Sequence, residues 1–137
     1  EIGKAQTFME GMDVTIFSSG PIIYEAMKAA HELRLKHAIN CEVVNVHTIK
    51  PLDEKTIIDK AEKTRMVVTV EEHQVNGGFG SAISELLSQN VPVPMEIIGV
   101  EDTFGESGQY DELWEKYGIN ARHIEIKIRE FLRKWGK

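Results

Sequence analysis

The feature that most constrains this chain is its regular alternation of short β-branched runs with longer amphipathic stretches. The runs "VTIF" (Val14–Phe17), "CEVVNVH" (Cys41–His47), "RMVVTVEE" (Arg65–Glu72) and "MEIIGV" (Met95–Val100) are nearly continuous in apolar residues. Strands of that kind suit a parallel sheet covered on both faces. A weaker run over Ala5–Met9 predicts one more short strand at the sheet edge, where an antiparallel placement is open to it. Helices fill the gaps. Ile23, Ala26, Met27, Ala30 and Leu33 fall on one helical face, with Glu25, Lys28, Glu32 and Lys36 elsewhere. Gly20-Pro21 opens that helix, since proline at the first position loses no hydrogen bond. Asp53 caps the next helix, and Leu52 and Ile57 stand at hydrophobic-staple spacing around it. Phe79, Ile83, Leu86 and Leu87 make a third apolar stripe. Asn120 is expected to cap a last helix whose Ile124, Ile128, Phe131, Leu132 and Trp135 face inward. Right-handed crossovers between such strands give a three-layer α/β/α sandwich with a mostly parallel sheet of about five strands.

Composition narrows what such a fold can do. The 137 residues suit a single domain with one core, and no repeat or linker divides residues 1–137. A net charge of −6 argues against nucleic acid as a partner. Cys41 is the single cysteine, so no internal disulfide forms, and the spacings yield no four-ligand zinc set. The sequence has neither an apolar run of membrane length nor a leader, which sets a cytoplasmic location and no membrane partner as the expectations. The opening "EIGKAQ" lacks a methionine and reads as a piece of a larger chain, whereas "IEIKIREFLRKWGK" reads as a natural end.

In open parallel sheets, ligands bind beyond the carboxyl ends of the strands. There the sequence collects Ser18-Ser19-Gly20, His47-Thr48, Glu71-Glu72-His73 and Glu101-Asp102. The candidates for an anion-binding or active-site-entrance role are His73, Glu72, Asn76, Gly77, Gly78, Gly80, His47 and Ser19. Against this stands the ordinary polarity of loops, whose backbone must stay hydrated. His31 and His37 do not share a helical face, His123 is expected to be exposed, and Cys41 reads as packing. The turn "NGGFG" matches neither G-x-G-x-x-G nor a Walker loop. Its amides at Gly78, Phe79 and Gly80 could face an anion, but glycines there also permit close helix–sheet approach and positive φ. Glu72 and His73 are adjacent on an extended segment and need a bend before they can share a proton. No nucleophile elbow, metal cluster or dinucleotide fingerprint completes an enzyme site.

The order of motifs is nevertheless distinctive. "EIGKAQTFMEGMDVTIFSSG", "VNVHTIKPLD", "VVTVEEHQVNGGFGSAISELL" and "GVEDTFGESGQYDELWEKYGI" follow one another as in the C-terminal domain of transketolases, which this chain resembles over nearly its whole length. The third segment is similar to the family's E-[DE]-H-x-x-x-G-G-[LF]-G. The fourth is similar to its F-G-x-S-G-x-Y stretch, followed by a leucine-rich helix and a Y-G-hydrophobic turn.

The resemblance implies an enzyme that moves a two-carbon ketol unit between sugar phosphates with thiamine diphosphate and a divalent metal, Mg or Ca. It also implies a homodimer of the whole enzyme. The family's metal–diphosphate motif and its ring-activating glutamate belong to two other domains and are not in this sequence. This chain is therefore expected to bind no cofactor or metal and to be inactive alone, packing on those two domains in the same or a companion chain. His73 and the Gly77–Gly80 turn would border the active-site entrance. The same domain type occurs in 1-deoxyxylulose-5-phosphate synthase and in the β subunit of two-oxo-acid dehydrogenases; Phe104–Tyr110 favours transketolase. A stand-alone module binding an anion or a protein partner is the competing expectation, and a start codon just before Glu1 would mark it.

Overall fold

A computed structural model describes residues 3–47, 51–72, 78–100 and 110–136, with the side chains of all of these except 110–119. Five strands, β1 (Gln6–Met9), β2 (Val14–Ser18), β3 (Cys41–Asn45), β4 (Val67–Glu72) and β5 (Met95–Val100), form one sheet in the order β1-β3-β2-β4-β5. β2 to β5 run parallel, and β1 lies antiparallel on the edge against β3. Among the described residues, four helices connect and cover them: α1 (Ile23–His37), α2 (Glu54–Thr64), α3 (Phe79–Asn90) and α4 (Tyr110–Trp135). A 3-10 turn, Gly20–Ile22, leads into α1 with Pro21 in its first positions.

The apolar runs are continuous because each strand feeds two cores. Val14, Ile16, Val43, Val68, Val70 and Ile98 point to one face, where Ala26, Ala30 and Leu33 of α1 meet Ile124, Ile128 and Phe131 of α4. Phe17, Val44 and Val67 point to the other, against Ile57 and Ala61 of α2 and Ile83 and Leu87 of α3. Burying a side chain of this size contributes about 1.5–3 kcal/mol, so the two clusters fix both layers. The sandwich and its antiparallel edge strand agree with the sequence reading.

Three expectations fail. Glu25 does not lie on the solvent face of α1: it is 2% exposed, and Asn120 donates through Nδ2 to its Oε1 at 3.1 Å. Asn120 is consequently no cap. The helix starts ten residues earlier, at Tyr110, and runs on through Gly118, where a turn is expected from the motif. A buried tertiary hydrogen bond outweighs the weak preference of asparagine for helix ends. Trp135 does not face the core. It is 56% exposed, because the apolar stripe ends at Phe131 and half-buried Leu132.

Candidate functional site

Because β2 connects through α1 to β3 on one side while β4 connects through α3 to β5 on the other, the carboxyl ends of β2 and β4 flank a topological switch point. Crevices at such points are the usual ligand sites of open α/β sheets. Here the crevice floor is stitched. Ser18 Oγ donates to the Val70 carbonyl at 3.1 Å, and the Val46 amide donates to the Ser18 carbonyl at 2.8 Å. Ser19 follows in an extended conformation and its side chain caps nothing. His47 and Glu72, both half-buried, leave β3 and β4 on the same edge. The fold therefore lines up Ser19, His47, Glu72, Gly78 and Gly80 as the sequence suggests, while His73, Asn76 and Gly77 lie outside the described residues.

The described part of the glycine turn has two structural duties. Gly78 takes φ +68°, a left-handed conformation that L side chains resist, immediately before α3. A Cβ on Gly80 would stand 2.8 Å from both Glu71 Oε1 and Thr69 Oγ1 and 2.9 Å from Ile97 Cγ1. Only glycine lets α3 descend this far onto the sheet. The Gly80 amide, one of those open to an anion in principle, donates to Glu71 Oε1 at 2.7 Å. The chain's own carboxylate thus occupies the positive end of α3. A diphosphate at that position would meet the Glu71 carboxylate already seated on the Gly80 amide, so the described residues do not fit a thiamine diphosphate or phosphate cradle here. Among the described residues, no three His, Cys, Asp or Glu side chains come together in a way that could hold a metal ion.

The flank of the edge is tied down in the same manner. Asp53 caps α2 through the Thr56 amide at 3.3 Å and hydroxyl at 2.7 Å, and it also accepts from the Ala5 amide at 2.9 Å. Burial pushes its carboxyl up, but these hydrogen bonds prevail and hold it below its ordinary value. One group that sequence reasoning missed lies at the opposite edge. Glu42, fully buried, accepts from Lys60 Nζ at 2.6 Å, Lys63 Nζ at 2.8 Å and the Gly11 amide at 2.6 Å. The signal was a carboxylate inside an apolar strand, with two lysines three residues apart on a helix beside it.

Residues 3–124 match the family described as transketolase, C-terminal domain. The chain belongs to this family. Among curated proteins, this transketolase C-terminal domain is 49% identical over 123 residues to a 6-deoxy-6-sulfo-D-fructose transketolase subunit, SqwH, of Clostridium sp.; the match covers 90% of this chain and 38% of that protein. It is 39% identical to a putative transketolase C-terminal section of Methanocaldococcus jannaschii, over 98% of this chain and 42% of the relative. A solved structure described as split gene transketolase, inactive β4 tetramer, superimposes with a TM-score of 0.79 at 39% identity, covering 100% of this chain and 44% of that one. The chain thus spans about two-fifths of the length of these relatives. Transketolase from Campylobacter jejuni shares the fold at a TM-score of 0.54 and 22% identity, over 93% of this chain and 18% of that one. Among the described residues no helix is long and apolar enough to cross a membrane.

Proposed function

We propose that residues 1–137 form the C-terminal domain of a transketolase that moves a two-carbon ketol unit between sugar phosphates. In this reading the thiamine diphosphate and its metal sit in the other domains, and this domain braces them. One observation carries it: the described carboxyl edge is closed by its own groups, with Glu71 on the Gly80 amide and Ser18 on the Val70 carbonyl. An edge so closed has a surface to pack with and little with which to grip a phosphate. His47, Ser19, Glu72 and the turn carrying His73, Asn76 and Gly77 would then border a neighbouring domain at the active-site entrance.

Relatives named as subunits, and one described as the product of a split gene, favour a diphosphate-binding domain on a companion chain. A cytoplasmic pentose phosphate enzyme and a dimeric core belong to the same proposal. A second reading has its own support. The 1-deoxy-D-xylulose-5-phosphate synthase of Desulfotalea psychrophila is 39% identical over 136 residues, so the whole enzyme could instead condense its two-carbon unit with an aldose phosphate. Assaying the protein with its companion chain, thiamine diphosphate and magnesium separates these outcomes. Ketol transfer from a ketose phosphate to an aldose phosphate is expected, and only with the companion present. Turnover by residues 1–137 alone would refute the bracing role, and carbon dioxide release from pyruvate would select the synthase.

A further inference from the structure

At the amino-terminal ends of the parallel strands, on the edge opposite the glycine turn, lies an open groove of about 1090 Å³. Its walls come from the segments preceding β2, β3, β4 and β5 and from the last three turns of α4. That volume is at the upper end of small-molecule sites, which run to about 1,000 Å³. In a chain of net charge −6, this groove is lined by Lys63, Arg65, Arg129 and Arg133 against Asp13 and Glu130. Lys63 is bound to Glu42, and Asp13 accepts from the Asn40 amide at 2.6 Å. No ion pair among the described residues holds Arg65, Arg129 or Arg133.

An ordinary explanation covers some of these charges. Basic residues in the last turn of a helix offset its negative end, which accounts for Lys63 on α2 and Arg133 on α4. It does not account for Arg129, which precedes the last turn of α4. Arg65, the C-cap of α2 in a left-handed conformation with φ 60°, also stands at that helix's negative end. Among the described residues, Ala38, with φ 55°, is the other non-glycine residue in that region, and it also lines the groove. Trp135 is the remaining wall: a large ring, more than half exposed, with the Lys134 ammonium 5.4 Å from its centroid.

We propose that this groove binds a nucleotide, its phosphates held by Arg65, Arg129 and Arg133 and its base stacked on Trp135. Guanidinium forks match phosphate oxygens in geometry and charge, and an indole offers a face to any base. The groove is walled from several sides, which suits a compact polyanion better than an acidic protein segment. Isothermal titration calorimetry on the whole protein, without magnesium, tests the site with ATP, inorganic tripolyphosphate and adenosine as probes.

Saturable ATP binding is expected, weakened by about tenfold or more in the double variant Arg129→Ala/Arg133→Ala. Trp135→Leu should weaken ATP while leaving tripolyphosphate unchanged, and ATP should shift the Trp135 indole NH resonance in the unaltered protein. All substituted side chains are exposed, so circular dichroism and melting should match the parent. No saturable ATP binding, or binding indifferent to the arginine pair, would overturn the proposal. So would tripolyphosphate binding as tightly as ATP, or a polyglutamate peptide displacing ATP at lower concentration.

Discussion

Gly80 shows how two general effects of opposite sign are decided by local geometry. Within a helix, alanine is favoured over glycine by about 1 kcal/mol. At Gly80, however, the new methyl would meet Glu71, Thr69 and Ile97 at less than 3.0 Å, and overpacking of this kind costs about 1–3 kcal/mol. Gly80→Ala is therefore expected to destabilise, seen as a lower urea midpoint with an unchanged slope. Glu42 supplies a pH test. Burial raises its carboxyl, but hydrogen bonds from Lys60, Lys63 and Gly11 prevail and hold it below the ordinary 4.5. A carboxyl depressed on folding contributes stability above its unfolded value, and that contribution is lost as pH falls below 4.5 through the folded value. Glu42→Gln leaves two lysines poorly compensated. It should cost about 1–3 kcal/mol at neutral pH and flatten the acid limb of a pH–melting curve. Cys41 reports the opposite case: burial, with a smaller effect from Asp13, pushes its thiol up to about 12. A disulfide reagent at mildly alkaline pH should label it only in unfolded protein.

Among the elements, α2 and α4 show what was legible in the sequence and what was not. The start of α2 was legible because capping is local chemistry: Asp53, Leu52 and Ile57 announce it from adjacent positions. Asp53→Ala removes the Thr56 contacts and also frees Ala5, just before β1. A loss of about 1–2 kcal/mol is expected, with hydrogen exchange accelerating in β1 as well as in α2. The start of α4 was misread because Asn120 carries a local signal that a partner 95 residues away overrules. Glu25 was invisible as a core group for the same reason, since Asn120 buries it, whereas Glu42 announced itself as a carboxylate inside an apolar strand. The strands were legible almost to the residue: Ala5, Val46–His47 and Arg65–Met66 fall just outside their strands, although the Val46 amide and the Met66 carbonyl still bond to β2. At the site, the alignment of Ser19, His47 and Glu72 followed from topology. The occupation of the Gly80 amide did not, because Glu71 reaches it only once the helix and strand have packed.

For the molecule as a whole, the two faces of the sheet are closed by different parts of the chain. The α2/α3 face is covered by helices that lie between β3 and β5 in sequence, whereas the opposite face needs α4, which follows every strand. During synthesis a ribosome therefore extrudes the complete sheet while Val68, Val70, Ile98 and half of the α1 surface still have no lid. Until Ile124, Ile128 and Phe131 emerge, that bare flank is greasy enough to attract a chaperone or another unfinished copy. The safe arrival of this fold in the cell depends on how promptly translation delivers α4.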